Sequence, residues 1–191
     1  VGAKWLSTIG AGGSIARVTP ARGGIITLNA ATGTTTHLSQ DNILQVTMQD
    51  AWRLYSRWQV AETVTTSGIV GIGDTSLVNP TDGVAWVVDT AVGVNYYLRG
   101  TRAGAVTNKD STIAVDTSFH VFELVSTAAG VVTGYIDGTA RGGGLTAAQC
   151  PVVTIDMQPV INSTPLAAPD ANLSIDVYKL VLSRNTGVGP I

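Results

Sequence analysis

Thirteen carboxylates, two histidines and one cysteine are the residues of this 191-residue chain best suited to acid-base, nucleophilic or metal chemistry. Glycoside hydrolysis needs two carboxyl groups facing one sugar about 5 to 9 Å apart, one of them shifted in pKa to serve as the acid. The glutamates, Glu62 and Glu123, each stand alone in their segments. Asp74, Asp82, Asp89, Asp137 and Asp176 fall at expected strand ends or turns, where Asp shapes the backbone. A calcium site from Asp74, Asp82 or Asp137 with backbone carbonyls is the alternative use, although no dense Asp/Asn loop marks one. His37 and His120 are too few for a zinc site or a triad. Cys150, next to Pro151, reads as a small buried apolar residue, and a single cysteine excludes an intrachain disulfide. The expectation is a protein without catalytic residues, resident metal or cofactor.

Saccharide binding asks for different residues. Sugars stack on aromatic rings while planar polar groups bond their hydroxyls. Trp86, Asn95, Tyr97 and Arg99 lie on one expected hairpin, with Tyr55 and Arg57 expected on a neighbouring strand, and form the candidate glycan site. The alternative buries Trp86 and Tyr97 in the core or in a subunit contact. Composition narrows the partners further. A net charge of -2, a pI near 5.5 and eight scattered Arg leave no basic surface for nucleic acid. Mean hydropathy is +0.28, yet no run approaches the roughly 20 apolar residues needed for a membrane-spanning helix. Charged residues make up only 13% of the chain, which suits a protein that buries surface in an assembly.

The elements that must position these residues are strands. Trp52 to Val60 alternates with a period of two: Trp52, Leu54, Ser56, Trp58 and Val60 on one face, Arg53, Tyr55, Arg57 and Gln59 on the other. Ser118 to Gly138 reads as a hairpin whose first strand is apolar on both faces apart from Glu123, and so lies inside a sheet. Further strands are expected at Gly23 to Leu28, Asn42 to Thr47, Ile69 to Asp74, Val84 to Asp89, Val94 to Arg99, Ser111 to Val115, Val152 to Val160 and Asn172 to Arg184. Gly100 to Lys109 reads as a polar loop, and Thr146 to Cys150 as a short helical turn. With ten to twelve strands and no longer helix, the pattern is an all-β antiparallel sandwich. Residues 1–20, with Trp5 and a glycine cluster at 10–13, are expected as an extended arm, Trp5 anchoring it on a neighbour. Residues 21–191 form one domain.

Three segments carry a resemblance. Tyr135-Ile136-Asp137-Gly138 closing its hairpin, and Ile69 to Asp74 before a turn-rich loop, resemble strands of the concanavalin A-like lectin and glucanase jelly rolls. Pro159, Ile161, Leu173, Ile175, Asp176, Val177 and Leu180 resemble the closing strands of such domains in tailed-phage virion proteins. The glucanase motif Glu-x-Asp-x-x-Glu is absent. The resemblance implies a concanavalin A-like jelly roll in a non-enzymatic structural protein of a phage virion, a head decoration or fibre protein. Its implied partners are the major capsid protein or other virion proteins, further copies of itself as a homo-oligomer such as a trimer, and a host glycan. A secreted carbohydrate-binding module is the alternative, and a polysaccharide-cleaving enzyme the third reading.

Overall fold

The computed structural model describes residues 5–18, 25–40, 45–74, 80–166 and 172–183. They form fourteen strands: β1 (Trp5–Ile9), β2 (Ser14–Arg17), β3 (Ile26–Asn29), β4 (Thr36–Gln40), β5 (Ala51–Val60), β6 (Thr66–Gly73), β7 (Gly83–Asp89), β8 (Asn95–Arg102), β9 (Ala105–Ala114), β10 (His120–Ser126), β11 (Val132–Ile136), β12 (Thr139–Leu145), β13 (Gln158–Pro165) and β14 (Asn172–Ser183). All pairings are antiparallel. The first sheet has the order β1-β4-β13-β6-β7-β8-β9 and the second β12-β11-β10-β5-β14-β3-β2.

Alternation explains how the layers join. On β5 the face bearing Trp52, Leu54, Ser56, Trp58 and Val60 is buried, as its period of two requires. On β10, Phe122 and Leu124 point the same way. The facing first sheet contributes Val84, Trp86 and Val88 from β7 and Tyr96 and Leu98 from β8. At the centre Trp58 stacks on Phe122 with ring centroids 4.1 Å apart, and Tyr96 meets both rings edge-on. The interdigitated inner faces make one continuous core, the arrangement of a β-sandwich. β10 lies between β5 and β11, an interior position as its two apolar faces demand.

Several segments differ from the sequence expectation, each for a local reason. The expected loop at 100–109 is instead the end of β8, a tight turn and the start of β9. Ala103 and Gly104 both take positive φ, 48° and 80°, the backbone that a two-residue hairpin turn requires. Residues 5–17, expected within a free arm, supply an edge strand to each sheet: β1 pairs with β4, and β2 with β3. The expected strand over 152–160 begins only at Gln158, and the 146–150 segment is a turn closed by the Gln149 amide on the Thr146 carbonyl at 2.9 Å. Residues 139–145 form β12 even though Gly142, Gly143 and Gly144 all have positive φ. Half of the strand expected at 42–47 lies outside the described residues, and in the other half Val46 makes an isolated bridge to Met157.

Candidate binding surface

The structure divides the residues singled out by sequence. Trp86 is in the core, 1% exposed, with its ring tilted 5.8 Å from Phe122 and its Nε1 donating to the Glu123 carbonyl at 3.0 Å. It offers no face to a sugar, which corrects its assignment to the glycan site. Both faces of β7 are apolar and buried, so alternation alone did not say which one faces inward.

Asn95, Tyr97 and Arg99 do come together, on the outer face of the first sheet. Arg99 donates from Nε to Asn108 Oδ1 at 2.8 Å and from Nη2 to Asp89 Oδ2 at 3.2 Å. The Asn95 amide donates to both oxygens of Asp110, at 2.9 and 3.0 Å. The Tyr97 hydroxyl occupies the space over Gly93, where a Cβ would lie 2.2 Å from it. Tyr97 is buried, as are the neighbouring Ile69, Ala85 and Val87. Asn95 and Arg99 are thus paired within the cluster, and the buried Tyr97 presents no open ring.

Arg57 belongs to the other sheet, whose outer face is open. Register places Tyr135, Glu123, Tyr55 and Lys179 in one row across β11, β10, β5 and β14. Beside that row lie Thr133, Val125, Arg53 and Val181 on one side, and Val121, Arg57 and Val177 on the other. Arg53 donates through Nε and Nη2 to Glu123 Oε2, the first at 2.7 Å, and Arg57 pairs with Asp176. The Arg57 guanidinium also sits 4.6 Å over the Phe119 ring. Lys179 is exposed and makes no ion pair among the described residues. Arg53, Tyr55, Val177, Lys179 and Val181 line a surface groove of about 400 Å³.

A β-bulge creates this surface. In β14, Ile175 pairs with Trp58 and Val177 with the next residue back, Arg57, so Asp176 is the extra residue. Leu173 and Ile175 are therefore inward, whereas Val177, Lys179 and Val181, of the same parity, are outward. The sequence carries a trace of this: the apolar parity switches at Asp176, from Leu173 and Ile175 to Tyr178 and Leu180. Tyr55 is among the glycan candidates read from the sequence and Tyr135 belongs to the Tyr135-Ile136-Asp137-Gly138 segment, but only the register brings the two half-buried rings into one row.

Several other acidic groups make structural hydrogen bonds. Glu62 accepts from the Val64 and Thr65 amides and from the Thr65 and Thr66 hydroxyls; burial pushes its pKa up, and these bonds more than offset that and hold it below the usual value. Asp74 accepts from the Thr81 amide and Asp82 from the Ala103 amide. Asp116 and Asp137 converge on the His120 ring, at 3.1 and 2.6 Å. Among the described residues no group of three or more His, Cys, Asp or Glu side chains is arranged to hold a metal ion. Trp5 packs edge-on against Tyr178 of its own chain at 5.7 Å, over an apolar cavity of about 280 Å³ between the sheets.

No protein-family model and no curated protein matches the sequence. Solved structures do. The Emp47p carbohydrate recognition domain is 9% identical with a TM-score of 0.65, over 94% of this chain and 88% of that one. A protein of unknown function from Shewanella oneidensis MR-1 is 16% identical with a TM-score of 0.66, over 93% and 77%. The binding domain of botulinum neurotoxin DC, in complex with rat synaptotagmin II, is 12% identical with a TM-score of 0.63; this chain, matched over 93% of its own length, spans 43% of that one. The architecture is thus an all-β antiparallel sandwich of concanavalin A-like fold.

Proposed function

We propose that this chain is a non-enzymatic saccharide-binding module whose ligand lies on the outer face of the second sheet. One observation carries the reading: Tyr55 and Tyr135 flank Glu123 in a single cross-strand row on an open face, with Arg53 fixing the carboxylate between them. Two half-buried rings two strands apart, about 10 Å, suit successive sugar units of an oligosaccharide, and Arg53, held by the buried Glu123, supplies a planar hydrogen-bonding group. The carbohydrate recognition domain among the similar structures supports the same class of ligand.

Glycan-array screening of the purified chain, followed by calorimetric titration, tests the reading. Tyr55→Ala and Tyr135→Ala should each weaken saccharide binding by about five- to tenfold, with strand content unchanged by circular dichroism. Absence of any bound saccharide, or undiminished binding by both variants, sinks it.

A second reading places the module in a tailed-phage virion as a head decoration or fibre protein, in contact with the major capsid protein and further copies of itself. It is favoured by the edge strand β1, where Trp5, Leu6 and Ile9 are 37%, 40% and 48% exposed, with Ile26 of β3 exposed across the cavity. Such an apolar edge suits burial in a subunit contact.

A further inference from the structure

We infer that the saccharide held on the second sheet is acidic, its carboxylate lodged between Arg53 and Lys179 with a sugar ring over Tyr55. This rests on the saccharide-binding reading and adds the charge of the ligand to it.

The argument is about which charges reach the surface. In the Arg53–Glu123 pair the side chains are 60% and 11% exposed, and in the Arg57–Asp176 pair 41% and 16%. Each carboxylate is sunk beneath its guanidinium, so the cations point outward. Tyr55 lies two residues from both Arg53 and Arg57 on β5 and directly opposite Lys179 on β14. Same-face neighbours at such positions lie roughly 5 to 8 Å apart, which rings Tyr55 with three cations. Lys179 adds a charge with no partner among the described residues, so the outward balance is positive although the whole chain carries -2.

Geometry narrows the anion. Arg53 spends Nε and Nη2 on Glu123, leaving Nη1 as a planar donor with no partner among the described residues, and Arg53 and Lys179 line the same groove. A carboxylate can bridge the two. Val177 and Val181, 36% and 43% exposed, flank Lys179 and give the C–H face of a sugar an apolar floor. An inorganic anion would leave that floor and the Tyr55 ring unused.

The test is an array of matched glycans, each uronic- or sialic-acid form paired with its carboxyl-reduced neutral counterpart, followed by titration of the best pair. The acidic member should bind about tenfold or more tightly, and its advantage should shrink as salt rises. Lys179→Gln should remove about tenfold of affinity for the acidic member and leave the neutral one within twofold, while Lys179→Arg retains binding. Lys179 is exposed, so these variants fold. Equal binding of acidic and neutral members overturns the inference and leaves the saccharide-binding reading standing; no binding of either overturns both.

Discussion

His37 and His120 respond to pH in opposite directions. His37 of β4 is 2% exposed, its Nδ1 has no hydrogen-bond partner among the described residues, and burial pulls its pKa from 6.5 to about 4. The unfolded chain gains a proton near pH 6.5 that the folded chain refuses until about pH 4, so His37 costs up to about 3 kcal/mol of stability as pH falls across that interval. His120 is the reverse. Burial lowers its pKa, but the Asp137 and Asp116 carboxylates on its two ring nitrogens more than offset this and raise it above 6.5. Its contribution is complete below 6.5 and disappears as pH rises through the raised folded value. For Asp116 and Asp137 burial raises the pKa, while backbone amides and His120 lower it further below 3.8, so their contribution exists above 3.8 and fades as pH falls through the depressed values. Thermal melts should therefore show the deficit of His120→Gln greatest near pH 5 to 6 and shrinking above pH 8, whereas His37→Gln should flatten the wild-type decline between pH 6.5 and 4. Equal melting deficits for His120→Gln at pH 5.5 and 9 would contradict the charged-ring assignment. Trp86→Ala should cost about 3 to 5 kcal/mol in chemical denaturation, and the folded fraction should bind saccharide as wild type does.

Packing between strands sets tolerances that no single side chain shows. Gly134 of β11 faces the Trp86 ring across the sandwich, and a Cβ there would come within 2.6 Å of it. Because Trp86 is itself held by its bond to the Glu123 carbonyl, the ring cannot step aside cheaply. Gly134→Ala should lower stability by about 1 to 3 kcal/mol, measured from the denaturant midpoint at unchanged slope. The β14 bulge sets a second tolerance. Deleting Asp176 would make Ile175 and Val177 consecutive, so that plain alternation keeps Ile175 inward and Val177, Lys179 and Val181 outward in the same register, while Arg57 loses its carboxylate partner. The deletion should therefore keep the face and retain saccharide binding, read by titration alongside circular dichroism. Loss of binding in a deletion variant that still folds would show that the face depends on Asp176 itself rather than on the register it sets.

At the level of the molecule the two long sides of the sandwich differ. β9 and β12 approach each other across the layers, closing one side, whereas the side carrying β1 and β2 keeps an apolar cavity lined by Trp5, Ile15, Ile26 and Leu38. If that side is the assembly contact, the purified chain should scatter light as an oligomer, and Leu6→Lys should return it to a monomer without altering the fold. A monomeric wild type that also ignores phage capsids would remove the virion reading and leave the saccharide surface intact, because the two lie on different parts of the molecule.

The chain by itself determined its class and several of its faces. Strict alternation along β5 put Trp52, Leu54 and Trp58 inward and Tyr55 and Arg57 outward, and the two apolar faces of β10 required an interior position, because side chains in a strand point alternately to opposite sides. The hairpin ending at Tyr135-Ile136-Asp137-Gly138 was equally legible, since its turn residues act locally. Trp86 and the neighbours of Tyr55 were not. A strand buried on both faces, such as β7, has no polar side to orient it, and the row Tyr135, Glu123, Tyr55 and Lys179 draws on strands distant in sequence. Which strand lies beside which, and where a bulge reverses parity, follows from burying the most apolar surface over the whole sandwich, so only the tertiary structure could decide it.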